Sequence, residues 1–393
     1  MKNKKNNRKK KTNPPLYLPH ELIIQILLWL PVKSLIRFKC VCKSWFSLIS
    51  DPNFANSHFE LTSATHTQTR RIVCLVDQEP RSIDFEDSID IDNNASVLRS
   101  LTFLRQEPFW DIVIKGSCRG FIVFNNGSHI YLCNPSTGFH KQIPLCSYSF
   151  GVSTNDFCGL GYDKSRDEYL VVLMSCYAKL GDDSSHLEVF SLRDNKWKKI
   201  EGTHFPYRIA SDKPRAGLFY NTAIHWFAIR HDISMRVIVA FDLIERRLSD
   251  IPVPDAFVHI YGYYDCDLWL YGEFLSLCVI DYHKNNATVE IWVMNEYAVH
   301  SSWTKTLIFP IDFIPSEFFF PLCSTKSGDI IGTDDACGFV RYDNKGRWLE
   351  YLFDSDERGG YEMAVYDERG GYEMAVYIES LLSLPERGDG EQV

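Results

Sequence analysis

The sequence predicts a multidomain α+β chain: a small three-helix unit at the N-terminus, then an all-β propeller of six or seven blades. Three observations carry this. Residues 18–49 place large apolar residues at helical spacing and are interrupted by Pro31. From about residue 70, short runs of Val, Ile, Tyr and Phe alternate with polar residues and are separated by turn sequences such as NPSTG, RDNK and DNKG. These strand–turn–strand runs recur with a nearly constant period.

The helices come first. Pro19 suits a first helical turn, and Leu22, Ile23, Ile26, Leu27 and Leu30 form one wide apolar stripe after it. Leu28 and Trp29 fall off that stripe, so the helix is apolar nearly all round. Val32, Leu35, Ile36 and Phe38 mark a second helix, and Val41, Trp45, Leu48 and Ile49 a third. Phe54, His58 and Phe59 suggest one further turn. Three short helices cannot bury this many large side chains alone. Part of the surface is expected to face the rest of the chain and part to face a partner.

The repeats define the second unit. HIYLCNPSTGFHKQIP, LEVFSLRDNKWKKIEG, VIVAFDLIERRLSDIPVP, VEIWVMNEYAVHSSWTKTLIFP and FVRYDNKGRWLEYLF share one plan, an apolar strand bearing an aromatic, a polar turn and a second strand. Their aligned aromatics are Tyr131, Phe190, Phe241, Trp292 and Tyr342, separated by 59, 51, 51 and 50 residues. A weaker copy, RSIDFED, puts Phe85 46 residues before Tyr131. A four-stranded sheet with two apolar faces cannot bury both alone, whereas radial stacking of such sheets does. The repeated aromatics are expected between blades, where flat side chains supply contact area.

Composition narrows the function. The net charge is −9, but residues 2–11 hold seven cations and no acid, leaving 35 basic against 51 acidic residues elsewhere. An acidic body argues against a nucleic-acid groove, and the basic leader reads as a solvated tail or an import signal. The 12 cysteines form no C-x-x-C pair and read as reduced, mostly buried apolar residues. With no signal peptide and no apolar run of 18 residues, a cytoplasmic or nuclear protein is expected, bound neither to membrane nor to nucleic acid. Phosphate-loop, zinc-protease and nucleophile-elbow motifs are absent, so no catalytic, cofactor-binding or metal-binding residues are assigned and no cofactor is expected. His225 and His231 are poorly spaced for a metal, and His225 reads as a packing or hydrogen-bonding residue.

LPHELIIQILLWLPVKSLIRFKCVCKSWFSLI resembles an F-box at Leu18, Pro19, Glu21, Leu22, Ile26, Leu27, Leu30, Pro31, Val32, Lys33, Ser34, Leu35, Arg37, Phe38, Cys40, Val41, Cys42, Lys43, Trp45, Leu48 and Ile49. The resemblance implies binding to a Skp-type adaptor and, through it, to cullin and RING subunits of a ubiquitin ligase. It assigns adaptor contacts to Leu18, Pro19, Leu22, Ile26, Leu30, Pro31, Val32 and Leu35, and internal packing to Val41 and Trp45. The remainder resembles the F-box associated domain of plant proteins. The matching positions are Gly116, Cys118, Gly120, Asn134, Pro135, Gly159, Gly161, Tyr162, Asp163, Tyr169, His225, Trp226, Phe241 and Pro252. The likeness to kelch propellers is partial, because the Gly-Gly pair of each kelch blade is missing. The plant S-locus F-box-like group is similar.

These likenesses imply a non-catalytic substrate receptor: adaptor on the helices, an unidentified target protein on the propeller loops, ubiquitination and degradation as the outcome. An adaptor-bound scaffold without ligase output, and a free-standing propeller that binds or catalyses, are the other readings. The expected divisions are a disordered basic tail at 1–15, the F-box at 16–60, the propeller at 61–385 and a disordered tail at 386–393. DERGGYEMAVY occurs at 356–366 and again, unchanged, at 367–377. A blade-closing strand needs one copy, so the second is expected to affect the fold little.

Overall fold

The computed structural model describes residues 18–384, apart from 77–78, 87–89, 92–111, 126–128, 146–156, 180–181, 202–205, 211–215, 259–263, 282–286, 312–318, 334–337 and 353–373. Both expected tails and the first DERGGYEMAVY copy lie outside the described residues.

Four helices open the chain rather than three: α1 (His20–Leu28), α2 (Val32–Phe38), α3 (Lys43–Ile49) and α4 (Pro52–Ala64). The expected extra turn is the longest helix. Its start is well specified: Asp51 accepts hydrogen bonds from the amides of Asn53 (2.7 Å) and Phe54 (3.3 Å), and Pro52 occupies the first turn. Phe54, Ala55, His58, Phe59 and Thr62 then form its buried face at helical spacing. The small and polar residues between its aromatics, among them Asn56, Ser57, Glu60 and Ser63 on the exposed side, hid this helix from the sequence pattern.

The described strands form six units, five of four strands and one of five. The first blade holds β1 (Arg70–Val76), β2 (Glu79–Asp84) and β3 (Asp90–Ile91). The second is β4 (Val113–Cys118), β5 (Phe121–Asn125), β6 (Ile130–Asn134) and β7 (Phe139–Ile143). The third is β8 (Phe157–Asp163), β9 (Glu168–Lys179), β10 (Asp182–Ser191) and β11 (Lys196–Lys199). In the fourth, β12 (Tyr207–Ile209) and β13 (Gly217–Tyr220) share the inner row against β14 (Ala223–Arg230), followed by β15 (Met235–Asp242) and β16 (Arg247–Pro252). The fifth is β17 (Tyr264–Tyr271), β18 (Phe274–Asp281), β19 (Thr288–Met294) and β20 (Trp303–Pro310). The sixth is β21 (Phe320–Ser324), β22 (Ile330–Thr333), β23 (Phe339–Tyr342) and β24 (Trp348–Leu352). The last strand, β25 (Met374–Ile378), pairs antiparallel with β1, so the C-terminus completes the first blade and closes the ring.

The inner strands touch in sequence around the ring, with β14 making the contact to β17 for the fourth blade. Gly217 of β13 bridges in parallel to both Gly116 of β4 and Gly159 of β8. A Cβ at Gly116 would lie 2.6 Å from the Leu160 amide nitrogen, and one at Gly217 2.6 Å from Ile224 Cγ2, so this approach requires glycine.

All six repeated aromatics fall on or just after the third strand of a blade. Phe85, Phe190, Phe241 and Tyr342 are fully buried, while Tyr131 and Trp292 are half-buried. Tyr342 packs 4.4 Å from Phe309 of β20, so that ring fills the space between the fifth and sixth blades. Second strands such as β5 are buried throughout because neighbouring blades cover both faces. Fourth strands such as KWKK (β11) carry lysines and meet solvent, which discourages edge pairing.

Candidate partner-binding surface

Pro19 and Pro31 precede α1 and α2 with φ near the proline value, −54° and −58°. They orient two helices whose apolar residues divide between two directions. Leu27, Val32, Leu35 and Ile49 are buried, with Ile23 and Leu30 half-buried beside them. Leu18, Leu22, Ile26 and Trp29 face outward, joined by Val41 between α2 and α3 and by Phe46 of α3, all six 50–60% exposed. The single stripe expected on α1 is therefore two: 23, 27 and 30 inward, 22, 26 and 29 outward.

This sorts the residues assigned from sequence. Leu18, Pro19, Leu22, Ile26 and Pro31 are exposed and Leu30 is half-buried. Val32 and Leu35 are buried: they lie beneath the surface, in the apolar cluster that α2 shares with the other helices. Val41, assigned to internal packing, is instead 60% exposed and packs little. Trp45 is half-buried, its ring 5.4 Å from Phe38. Phe46 was missed; it follows Trp45 by about 100° around the helix, off the 45/48/49 face that packs inward. Lys33, Arg37 and Lys43 are exposed around this surface, which explains the cations interleaved with apolar residues in the sequence.

The inward face joins the propeller. One apolar cluster takes Leu27, Leu35, Phe54 and Phe59 from the helices, Cys118 and Phe121 from the second blade, Tyr169 from the third, and Leu381 and Leu382 from the residues after β25. His58 Nε2 lies 2.9 Å from the Leu30 carbonyl, and burial holds the imidazole below its ordinary pKa despite that contact. Arg119, in the β4–β5 turn at φ 49°, sits 4.3 Å over the Phe59 ring and 4.1 Å over Tyr162. It also donates to Glu60 (3.2 Å) and Tyr169 (3.4 Å). Burial, with the Asp167 hydrogen bond, pushes the Tyr162 phenol up to about 12.

The β4–β5 and β8–β9 turns therefore lie on the helix-bearing face of the ring. The β14–β15 turn, at the other end of β14 from the β13–β14 turn, lies on the opposite face. Among the described residues, α1–α4 pack against the first of these faces only.

The region resembling the associated domain explains its own motif. Asn134 Nδ2 donates to the carbonyls of Ser380 (3.2 Å) and Leu382 (3.0 Å). Asp163 is fully buried and accepts from Arg246 at 3.0 Å across the third and fourth blades. Trp226 Nε1 donates to the Cys158 carbonyl at 3.1 Å, also between blades. His225 Nδ1 lies 3.2 Å from the Leu218 carbonyl, which only accepts; the neutral ring thus presents Nε2 as acceptor to Tyr297 OH at 2.8 Å. Burial holds His225 down to about 4.

Among the described residues, no group of three or more His, Cys, Asp and Glu is placed to hold a metal. Most described cysteines are buried, and burial pushes the thiols of Cys118, Cys133 and Cys323 up. No described helix is long and apolar enough to cross a membrane.

Comparison with known proteins matches residues 71–341 to the F-box associated beta propeller domain. The chain belongs to this family. The F-box domain matches residues 16–57, which span α1–α3 and the first half of α4. Relatives of this F-box protein in Arabidopsis thaliana include the F-box/kelch-repeat protein At3g23880, 29% identical over 313 residues that cover 76% of this chain and 82% of the relative. The F-box protein CPR1 is 28% identical over 309 residues, 73% and 72% of the two chains. The F-box protein At2g40925 is 29% identical over 315 residues, 74% and 73%.

Proposed function

We propose that this F-box protein is the substrate-recognition subunit of a Skp–cullin–F-box ubiquitin ligase, with no catalytic step of its own. The outward stripe Leu18, Leu22, Ile26 and Trp29 supports this most directly. Its helical domain already has an inward face packed on the propeller, so the exposed stripe is surplus to folding and suited to a partner. Pro19, Pro31 and Leu30 border the adaptor contact, with Val32 and Leu35 as its foundation. The target protein binds loops on the opposite face, as binding surfaces are commonly carried by loops on a rigid scaffold. Holding a target lysine near a charged conjugating enzyme then raises its effective concentration. The cytosol and nucleus are the compartments consistent with this role and with the cationic leader.

The test is co-purification with a plant Skp-type adaptor, wild type beside Leu22→Asp/Ile26→Asp. Stoichiometric binding by the wild type and its loss in a variant that keeps its melting temperature support the receptor. Binding by neither, or equally by both, rejects it.

A further inference from the structure

We propose that residues 379–384 are a strap that orients the F-box on the propeller, so that closing the ring and placing the partner-binding surface are one event, with Arg119 as the positioning residue between them. The strap continues directly from the ring-closing strand β25. Its first amide, on Glu379, donates to the Thr69 carbonyl (2.9 Å) in the short connection between α4 and β1. Ser380 is buried; its amide donates to Ser136 Oγ (3.2 Å) and its hydroxyl to the Arg119 carbonyl (3.1 Å). Asn134 grips the strap through its amide donors. Leu381 and Leu382 then bury in the apolar cluster that the F-box helices share with the second and third blades. Gly120, at φ 88°, leaves room for the Ser380 side chain where a Cβ would collide with it.

The same residue whose carbonyl holds the strap, Arg119, stacks its guanidinium on Phe59 and pairs with Glu60. The strap and the F-box thus meet the same β4–β5 turn from two sides.

The duplicated segment gives an independent argument. The two copies of EMAVY are identical, so strand propensity cannot choose between them. The structure places the second copy in the closing position. After the first copy the residues are Asp367, Glu368, Arg369, Gly370 and Gly371, in place of Ile378, Glu379, Ser380, Leu381 and Leu382. Only the second copy carries the small hydroxyl and the two leucines that fill the joint. The strap therefore selects which copy closes the ring.

The significance for ubiquitin transfer rests on the receptor reading, but the strap itself does not. The experiment accordingly uses the full chain free of adaptor. Spin labels are placed at positions 47 and 306 as genetically encoded amino acids, which avoids the 12 cysteines. The distance distribution between F-box and fifth blade is read for wild type, Leu381→Ser/Leu382→Ser, Arg119→Ala and Val340→Ala. Val340 is a buried residue of the sixth blade outside the joint. The expected result is a narrow wild-type distribution that broadens at least about twofold in the strap and Arg119 variants and stays narrow in Val340→Ala, below the melting temperature of each. Distributions that stay narrow in the strap and Arg119 variants, or that broaden equally in Val340→Ala, overturn the proposal. A separate adaptor-binding assay on the same variants reports on the receptor reading alone.

Discussion

The Arg119 guanidinium lies 4.3 Å from the Phe59 ring, so a turn of the propeller holds the last helix of the F-box through a cation–π contact. A second ring, Tyr162, packs 4.1 Å from the same group. The F-box is thus not a free module on a tether. A double-mutant cycle of Arg119→Ala with Phe59→Leu should return a coupling of about 1 kcal/mol in chemical unfolding, the range for a partly desolvated cation–π pair. Additive losses would mean that Phe59 contributes through packing alone.

The outward and inward faces of the F-box should separate in mutation. Leu22→Asp/Ile26→Asp alters exposed positions and should leave stability within about 0.5 kcal/mol per site, while adaptor affinity, measured by calorimetry, falls at least about tenfold. Leu35→Ala empties a fully buried site and should destabilise by about 2–5 kcal/mol.

Acid should weaken the fold through His225. Its folded pKa, about 4, lies below the ordinary value of 6.5. Between those values the unfolded chain binds the extra proton and the folded one does not, so stability from this group is complete above pH 6.5 and declines as pH falls to about 4. The loss is on the order of 3 kcal/mol at most. His58 is shifted in the same direction. Titrating urea stability from pH 7 to 4 in wild type and His225→Gln checks this: the variant should show a shallower pH dependence.

Gly217 should resist any side chain. Gly217→Ala forces a Cβ against Ile224 and Trp226 and should destabilise by about 1–3 kcal/mol. Gly272→Ala has open space and only its φ of 61° against it, about 1–2 kcal/mol. Comparing the two in chemical unfolding separates crowding from backbone conformation.

Removing one DERGGYEMAVY copy gives the same chain whichever copy is deleted, and the remaining one still precedes Ile378. The melting temperature should hold or rise slightly, because halving a connection changes closure entropy by only about 0.6 kcal/mol. A cooperative loss of melting on deletion would show that both copies are structural.

Much of this architecture was legible in the chain itself. The near-50-residue spacing of Phe85, Tyr131, Phe190, Phe241, Trp292 and Tyr342 marks the six blades because each blade repeats one local plan, and local patterns are written in neighbouring residues. The apolar surplus of residues 18–49 likewise announced apolar residues left on the surface. What the sequence left undecided depended on distant residues. The helical period says that Val32, Leu35 and Val41 are apolar; it does not say which of them α4 and the propeller will cover. Nor does it bring Arg119 to Phe59, or Ser380 to Asn134, 246 residues apart. Those meetings exist only in the folded chain, where the β4–β5 turn, α4 and the residues after β25 come together. Burial is a property of the closed ring, so only the tertiary structure decided which apolar residues became core and which remained surface.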